Sequence, residues 1–324
     1  MSKSGINSLV VYKKDEHKLV SIEKLIKKAK ILRMEYQKEC EGFEWDDIEV
    51  GSVEERYIQI VDGGEPTRIL IYRPLSAFEN TGHLPLYISI HGGAFIRGSA
   101  DFDDHFCRRT ANDSECMVIN VDFKLAPEYK FPYSVEECYR VLVWSKENAE
   151  HLGIDPDRIA VGGHNTGGTI AEVVAQLARD RGEANVACML LDGPVISLAG
   201  DNELQDFDLE TPLTGSQKGA FFNTCYLGDP ANASSPMASP ACLENLDGMP
   251  DAFILIAGED PQASPTEYYA ERLKESGVDV ESARFEGCKH GFTIRSGLAS
   301  PDDVDRAWVL MNNYLKRKLH CKPK

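Results

Sequence analysis

Residues Ile159 to Ile170 constrain the fold more than any other stretch of the chain. They read Ile-Ala-Val-Gly-Gly-His-Asn-Thr-Gly-Gly-Thr-Ile, a short apolar run entering a glycine-flanked turn. Beyond the turn, Ile170, Val173, Val174, Leu177 and Ala178 recur at the i, i+3, i+4, i+7, i+8 spacing of an amphipathic helix. The pattern is strand, tight elbow, helix. In the G-x-S-x-G form of this arrangement the glycines let a strained turn hold a serine at the end of a parallel sheet, where its hydroxyl can attack a carbonyl. Here Gly163-His-Asn-Thr-Gly167 puts Asn165 at that position.

The neighbouring runs fit the same architecture. Leu84 to Ile90, Met117 to Asp122, Met189 to Leu191 and Phe253 to Ala257 have the continuous apolar character of buried strands, as does Ile159 to Gly162. Helical stretches such as Val135 to Glu150 separate them, and alternation of this kind predicts an α/β fold with a mostly parallel sheet covered on both faces. Residues 47 to 73 predict two antiparallel strands turning at Asp62-Gly63-Gly64-Glu65-Pro66. At 324 residues the chain suits a single α/β domain, residues 1–324, carrying a lid. Two segments are assigned to that lid. In residues 1 to 45, Ser21 is a plausible N-cap for a helix with an apolar stripe of Ile22, Leu25, Ile26, Ala29 and Leu32 and solvated lysines on its other faces. The segment from about Ser197 to Asn245 interrupts the alternation with Asp, Asn, Pro and Ser around Phe221, Phe222 and Tyr226, as a lid or binding insertion does.

Charge and cysteine usage narrow the partners. Thirty-five basic against 52 acidic residues give a formal net charge of -17, which repels phosphate backbones and anionic membranes, so neither nucleic acid nor membrane is expected as a partner. No run approaches the roughly 18 apolar residues of a spanning helix, and Met-Ser-Lys-Ser-Gly-Ile-Asn lacks the apolar core of a signal peptide. A cytoplasmic location is the expectation. Nine cysteines without C-x-x-C pairs predict free thiols, with no disulfide framework and no zinc site. No G-x-G-x-x-G and no Gly-Lys-[Ser/Thr] accompanies the elbow, so no nucleotide and no other cofactor is expected.

Three pieces outside the elbow carry chemistry. His91-Gly92-Gly93-Ala94 follows a strand directly, and its glycines let backbone N–H groups approach a ligand oxygen. Gly92 and Gly93, with the amide of Thr166 at the next helix start, are the expected oxyanion hole, each donor worth about 3 to 4 kcal/mol in a transition state. Asp260 ends the strand Phe253 to Ala257 through Gly258-Glu259, and His290 lies in Gly287-Cys-Lys-His-Gly-Phe292 after the run Val280 to Phe285. The order elbow, acid, histidine is the one a nucleophile-acid-base triad takes on a sheet of this kind.

With these motifs in place the chain resembles the α/β hydrolases of the hormone-sensitive-lipase branch, which includes many carboxylesterases. That family carries an H-G-G-[GA]-F loop, a D-[YF]-[RK]-L-A-P-E stretch, a G-D-S-A-G-G elbow, a D-P-L acid and an H-G-F histidine. Their counterparts here are His91-Gly-Gly-Ala-Phe95, Asp122-Phe-Lys-Leu-Ala-Pro-Glu128, Gly163-His-Asn-Thr-Gly-Gly168, Asp260-Pro-Gln262 and His290-Gly-Phe292. The resemblance runs from about residue 47 to the C-terminus. It implies the α/β-hydrolase fold, a central sheet flanked by helices with a helical lid, amides of Gly92, Gly93 and Thr166 as oxyanion donors, and Asp260 orienting His290. The departure is Asn165, where the family has its serine.

Asparagine tolerates the positive φ of such an elbow, but its carboxamide nitrogen is delocalised and is not a useful nucleophile. Thr166 is expected to turn its hydroxyl away from the site, Cys288 to be a buried thiol, and His164 to pack or bond locally. Three functions follow, all toward a largely uncharged carbonyl or ester small molecule. The leading expectation is a non-hydrolytic enzyme using His290 with Asp260 for elimination, aldol-type chemistry, decarboxylation or cyclisation. The alternatives are a carboxylesterase, either weak or a variant inactivated by a Ser-to-Asn exchange, and a small-molecule-binding protein on a hydrolase scaffold. The pattern says nothing about oligomeric state.

Overall fold

The computed structural model describes residues 20–43, 47–60, 64–78, 82–199, 204, 206–295 and 297–321. The N-terminal heptapeptide and part of the Asp62–Pro66 turn lie outside them. In chain order the elements are α1 (Ile22–Glu41), β1 (Ser52–Ile58), β2 (Thr67–Arg73), β3 (Leu84–Ile90), α2 (Asp104–Ser114), β4 (Met117–Asp122), α3 (Tyr133–Glu147) and α4 (Ala149–Leu152). There follow β5 (Ile154–His164), α5 (Thr166–Arg181), β6 (Cys188–Asp192), α6 (Gly215–Leu227), β7 (Asp251–Ala257), α7 (Ala263–Glu275), β8 (Val280–Phe285) and α8 (Pro301–His320).

The strands form one eight-stranded sheet in the order β1-β2-β4-β3-β5-β6-β7-β8. β2 is antiparallel to both β1 and β4, and every later pairing is parallel. Parallel strands in the middle of a sheet bury both faces, which is why β3 is buried at every residue. Its alternate side chains go to opposite sides. Leu86, Ile88 and Ile90 join Ile119, Val161, Ile170 and Val174 in the layer under α1, α3, α5 and α7. Tyr87 joins Val118, Phe106, Trp308 and Leu315 under α2 and α8. This is the α/β architecture that the alternation predicts, a mostly parallel sheet covered on both faces.

The topology also fixes where a site can be. The chain leaves β3 toward β4 on one side and returns through α3 to β5 on the other, so the strand order reverses at β3 and β5. A crevice opens outside the carboxyl ends of strands at such a switch point. The segment 91–95 leaves β3 there, the elbow leaves β5 there, and Asp260 and His290 follow β7 and β8 on the same edge.

Some boundaries and one surface differ from expectation. The helix predicted over Val135 to Glu150 is two helices, because the Asn148 amide donates to the Trp144 carbonyl at 2.8 Å and ends α3. The strand begins at Ile154, ahead of Ile159. Ser21 caps α1 by accepting from the Lys24 N–H at 3.2 Å; of the expected stripe Leu25, Ala29 and Leu32 are buried, Ile26 is half-buried and Ile22, in the first turn, is exposed. The basic side of α1 is not simply solvated, however. Lys28 is 1% exposed, and its Nζ donates to the carbonyls of Leu209 at 2.6 Å and Thr211 at 3.0 Å. A buried ammonium needs such acceptors, and here they come from a segment some 180 residues away that no local pattern reveals. All nine cysteines are free. No described helix is long and apolar enough to cross a membrane, and among the described residues no group of three or more His, Cys, Asp or Glu is placed to hold a metal ion.

Candidate active site

Asn165 sits at φ 54° and ψ -125°, at the turn from β5 into α5. Two glycines make that turn possible. A Cβ on Gly163 would lie 2.1 Å from the Ile90 carbonyl, and one on Gly167 would lie 2.0 Å from the same oxygen, so the elbow can press against the end of β3 only without those side chains. The Asn165 N–H is tied to the Asp192 carbonyl at 2.9 Å, and its own carbonyl accepts the N–H of Thr169 at 3.3 Å as the first helical bond of α5. A helix-capping asparagine usually turns its side chain onto the first-turn amides. This one makes no such bond.

The carboxamide spans the site instead. Its Oδ1 accepts the N–H groups of Gly93 at 3.4 Å and Ala94 at 3.3 Å. Its Nδ2 faces Nε2 of His290 within hydrogen-bond reach. The orientation follows from the partners, since a backbone N–H only donates and the oxygen must face it. The nitrogen then donates to His290 Nε2, which places the ring proton on Nδ1, against Oδ2 of Asp260. Asp260 is buried, with its other oxygen accepting the Gln262 N–H at 2.8 Å. The acid and histidine turns are joined by the Glu259 N–H donating to the Cys288 carbonyl at 2.9 Å. The His290 side chain is 33% exposed, so one flank of the ring is open to water.

The loop 91–95 differs from expectation in one donor. The Gly92 N–H points toward the His164 ring and away from the carboxamide, so the amides converging on the elbow side chain are those of Gly93 and Ala94. A Cβ on Gly92 would fall 2.6 Å from the His164 ring, which is why that glycine is needed. Ala94 at φ 57° and Phe95 at φ 63° hold the left-handed turn that aims these amides, a conformation the residue types do not announce. Thr166 is buried at the start of α5, and its hydroxyl accepts the Phe95 N–H at 3.3 Å, away from the carboxamide. His164 bonds Asp103 at 2.9 Å. Burial alone would lower the His164 pKa, but the Asp103 charge and hydrogen bond, with Asp192 adding, hold it above the ordinary histidine value. A cavity of about 30 Å³ touches Ser89, Asp103, His164 and Asp192, beneath the elbow and not at its mouth. Cys288 is buried, and burial pushes its thiol pKa up, so it is no thiolate nucleophile.

Neighbouring segments brace the loop. The Asp122–Glu128 stretch holds it through the Ala126 N–H to the Phe95 carbonyl at 3.0 Å and through Phe123 stacked on His91 at 4.3 Å. Tyr226 of α6 stacks on Phe95 at 3.7 Å. From α1, Arg33 donates to the carbonyls of Ile96 at 2.7 Å and Ala126 at 2.8 Å and pairs with Glu128. The set brings two backbone N–H donors and a carboxylate-bonded imidazole onto one side chain. At the elbow it presents a carboxamide whose nitrogen lone pair is delocalised, which makes it a poor nucleophile.

A family profile described as the α/β hydrolase fold matches residues 87–294. An arylesterase of Saccharolobus solfataricus is 34% identical over 277 residues, covering 82% of this chain and 84% of that protein. A Mycobacterium tuberculosis esterase is 35% identical over 258 residues, 78% of this chain and 79% of its own length. Among solved structures, a thermostable carboxylesterase cloned from a metagenomic library superposes with a TM-score of 0.78 at 31% identity, covering 93% of this chain and 99% of that one. A hyperthermophilic esterase of Pyrobaculum calidifontis does so at 0.74 and 34%, covering 91% and 90%.

Proposed function

Since the chain belongs to the α/β-hydrolase family, we propose that it is a carboxylesterase-type enzyme for small, largely uncharged esters, slowed by the asparagine at its elbow. The relatives named above are described as esterases, and this favours hydrolysis over the elimination, aldol-type, decarboxylation or cyclisation chemistry that led the sequence reading. The observation that carries the proposal is the alignment of Asp260, His290 and the amides of Gly93 and Ala94 around one point, now filled by the Asn165 side chain.

In this reading the ester carbonyl oxygen replaces Asn165 Oδ1 on the two amides. Bonds of 3.3 and 3.4 Å are longer than the usual 2.9 to 3.0 Å, so the carboxamide is a weakly held occupant on that side. His290 Nε2 takes a proton from water as the water oxygen bonds to the acyl carbon, the charge gathers on the oxygen facing Gly93 and Ala94, and the imidazolium is stabilised by Asp260. Collapse breaks the C–O bond, and His290 returns the proton to the departing alkoxide. Without a covalent step, about 10³ to 10⁴-fold over water is what oriented donors and binding supply. The segments containing α1 and α6 would cover the acyl group, through Tyr226 against Phe95. The test is steady-state hydrolysis of a p-nitrophenyl acyl ester. Slow turnover that falls to background in His290→Ala is expected, whereas turnover near the enzyme-typical 10 per second, or turnover that ignores His290, contradicts the reading.

A further inference from the structure

We propose that the site hydrolyses its own elbow side chain, converting Asn165 to aspartate with release of ammonia. The inference rests on the roles assigned above to His290, Asp260 and the amides of Gly93 and Ala94. It goes beyond them in naming a substrate that is already in place. The Asn165 carboxamide holds its carbonyl oxygen on the two oxyanion amides and its nitrogen on the imidazole of an Asp-His pair. An amide about to be cleaved in a hydrolase site needs that same placement, with the oxygen where negative charge will develop and the leaving nitrogen beside the acid that protonates it.

The step balances with water as the only co-reactant. A water entering from the open side of the site displaces the Nδ2–H from the Nε2 lone pair of His290 and gives that nitrogen its proton as the water oxygen bonds to Cγ of Asn165. The π electrons move onto Oδ1, which the Gly93 and Ala94 N–H groups hold. Collapse of this adduct breaks the Cγ–Nδ2 bond, and the imidazolium gives its proton to the leaving nitrogen, so ammonia departs. The new carboxylic acid then ionises beside the histidine. The side chain does not leave after the reaction, because it is part of the chain, so one turnover modifies each molecule permanently. The product places a carboxylate, itself one of the nucleophile types enzymes use, where the amide had no usable lone pair.

A competing route exists in any protein, in which the next backbone nitrogen attacks the side chain and the resulting ring opens to a mixture of aspartate and isoaspartate. That route does not use His290. The Thr166 nitrogen it needs belongs to the first residue of α5. The two routes therefore differ in product and in dependence on the histidine.

The experiment follows the peptide containing residue 165 by mass spectrometry in freshly purified full-length protein and after incubation at neutral pH in ¹⁸O water. Wild type, His290→Ala, His290→Gln and Asn165→Ser are compared, each checked for a native thermal transition. The expected result is gain of aspartate alone, carrying one ¹⁸O atom, with at least about 10²-fold slower conversion in both histidine variants. Asparagine that persists in wild type, or an isoaspartate mixture formed at the same rate in all His290 variants, overturns the proposal. Asn165→Ser, probed in parallel with a fluorophosphonate, separates the two levels of the argument. Labelling of that serine while wild-type Asn165 stays intact sinks only self-hydrolysis, and failure of both sinks the reading of the site as well.

Discussion

At residue 165 an asparagine satisfies the backbone and, under the proposed function, withholds a nucleophile. It accepts φ 54° with less strain than most residues, so the elbow forms. Its carboxamide then completes a hydrogen-bond chain from Asp260 through His290 to the Gly93 and Ala94 amides. Asp260 is the member whose role can be isolated without moving the elbow. Its carboxylate keeps the ring proton on Nδ1 and leaves Nε2 free to act as a base, and an amide in its place can instead donate to Nδ1 and shift that proton to Nε2. Asp260→Asn is therefore expected to lower kcat for ester hydrolysis by about 10² to 10⁴-fold with KM changed far less. Equal loss in KM, or no loss, would show that Asp260 only supports the loop.

At the scale of elements the strand-elbow-helix unit governs the site, and its tolerance for side chains is small. In Gly163→Ala the new methyl would meet the Ile90 carbonyl at 2.1 Å and the Gly167 carbonyl carbon at 2.8 Å, both backbone atoms that cannot rotate away. Overpacking of this kind costs about 1 to 3 kcal/mol. The variant is expected to melt several degrees lower and to lose whatever ester turnover wild type shows, as read by calorimetry and the ester assay. An unchanged melting temperature would mean that β3 and β5 are free to separate at that end. This unit was legible from sequence because glycines, apolar runs and helix spacing are local signals. Strand existence was legible for the same reason. What stayed hidden depends on distant partners. The Gly92 amide faces the His164 ring instead of the elbow, and the Ala94 N–H joins that of Gly93 on Asn165 Oδ1 because of a positive φ that an alanine does not advertise. Local spacing puts Lys28 on a solvated face, because its acceptors at Leu209 and Thr211 lie far along the chain.

Across the whole molecule, one buried carboxyl couples stability to pH. Glu172 of α5 is fully buried, with Oε1 accepting from Tyr269 at 2.5 Å and Oε2 without a partner among the described residues. Burial raises its pKa from an ordinary 4.5 to about 7, against the lowering effect of the Tyr269 bond. Between those values the folded chain holds a proton that the unfolded chain has released. Stability on this account falls as pH rises from about 4.5 to about 7 and is level above that. Glu172→Gln removes the titration, so its stability relative to wild type should grow over that window and reach on the order of 3 kcal/mol by pH 8. A constant difference across denaturant titrations at pH 4, 6 and 8 would contradict it. The central claim, however, is that this is a hydrolase scaffold complete but for its nucleophile, and exchange of that one residue tests it most directly. Serine is smaller than asparagine, so it should enter without overpacking, and it would put its hydroxyl beside an imidazole already oriented by Asp260. Mass spectrometry after treatment with a fluorophosphonate should find one adduct per chain on residue 165 of Asn165→Ser and none at that position in wild type, together with a rise in hydrolysis of short acyl esters. A folded Asn165→Ser protein that takes up no probe would contradict the account.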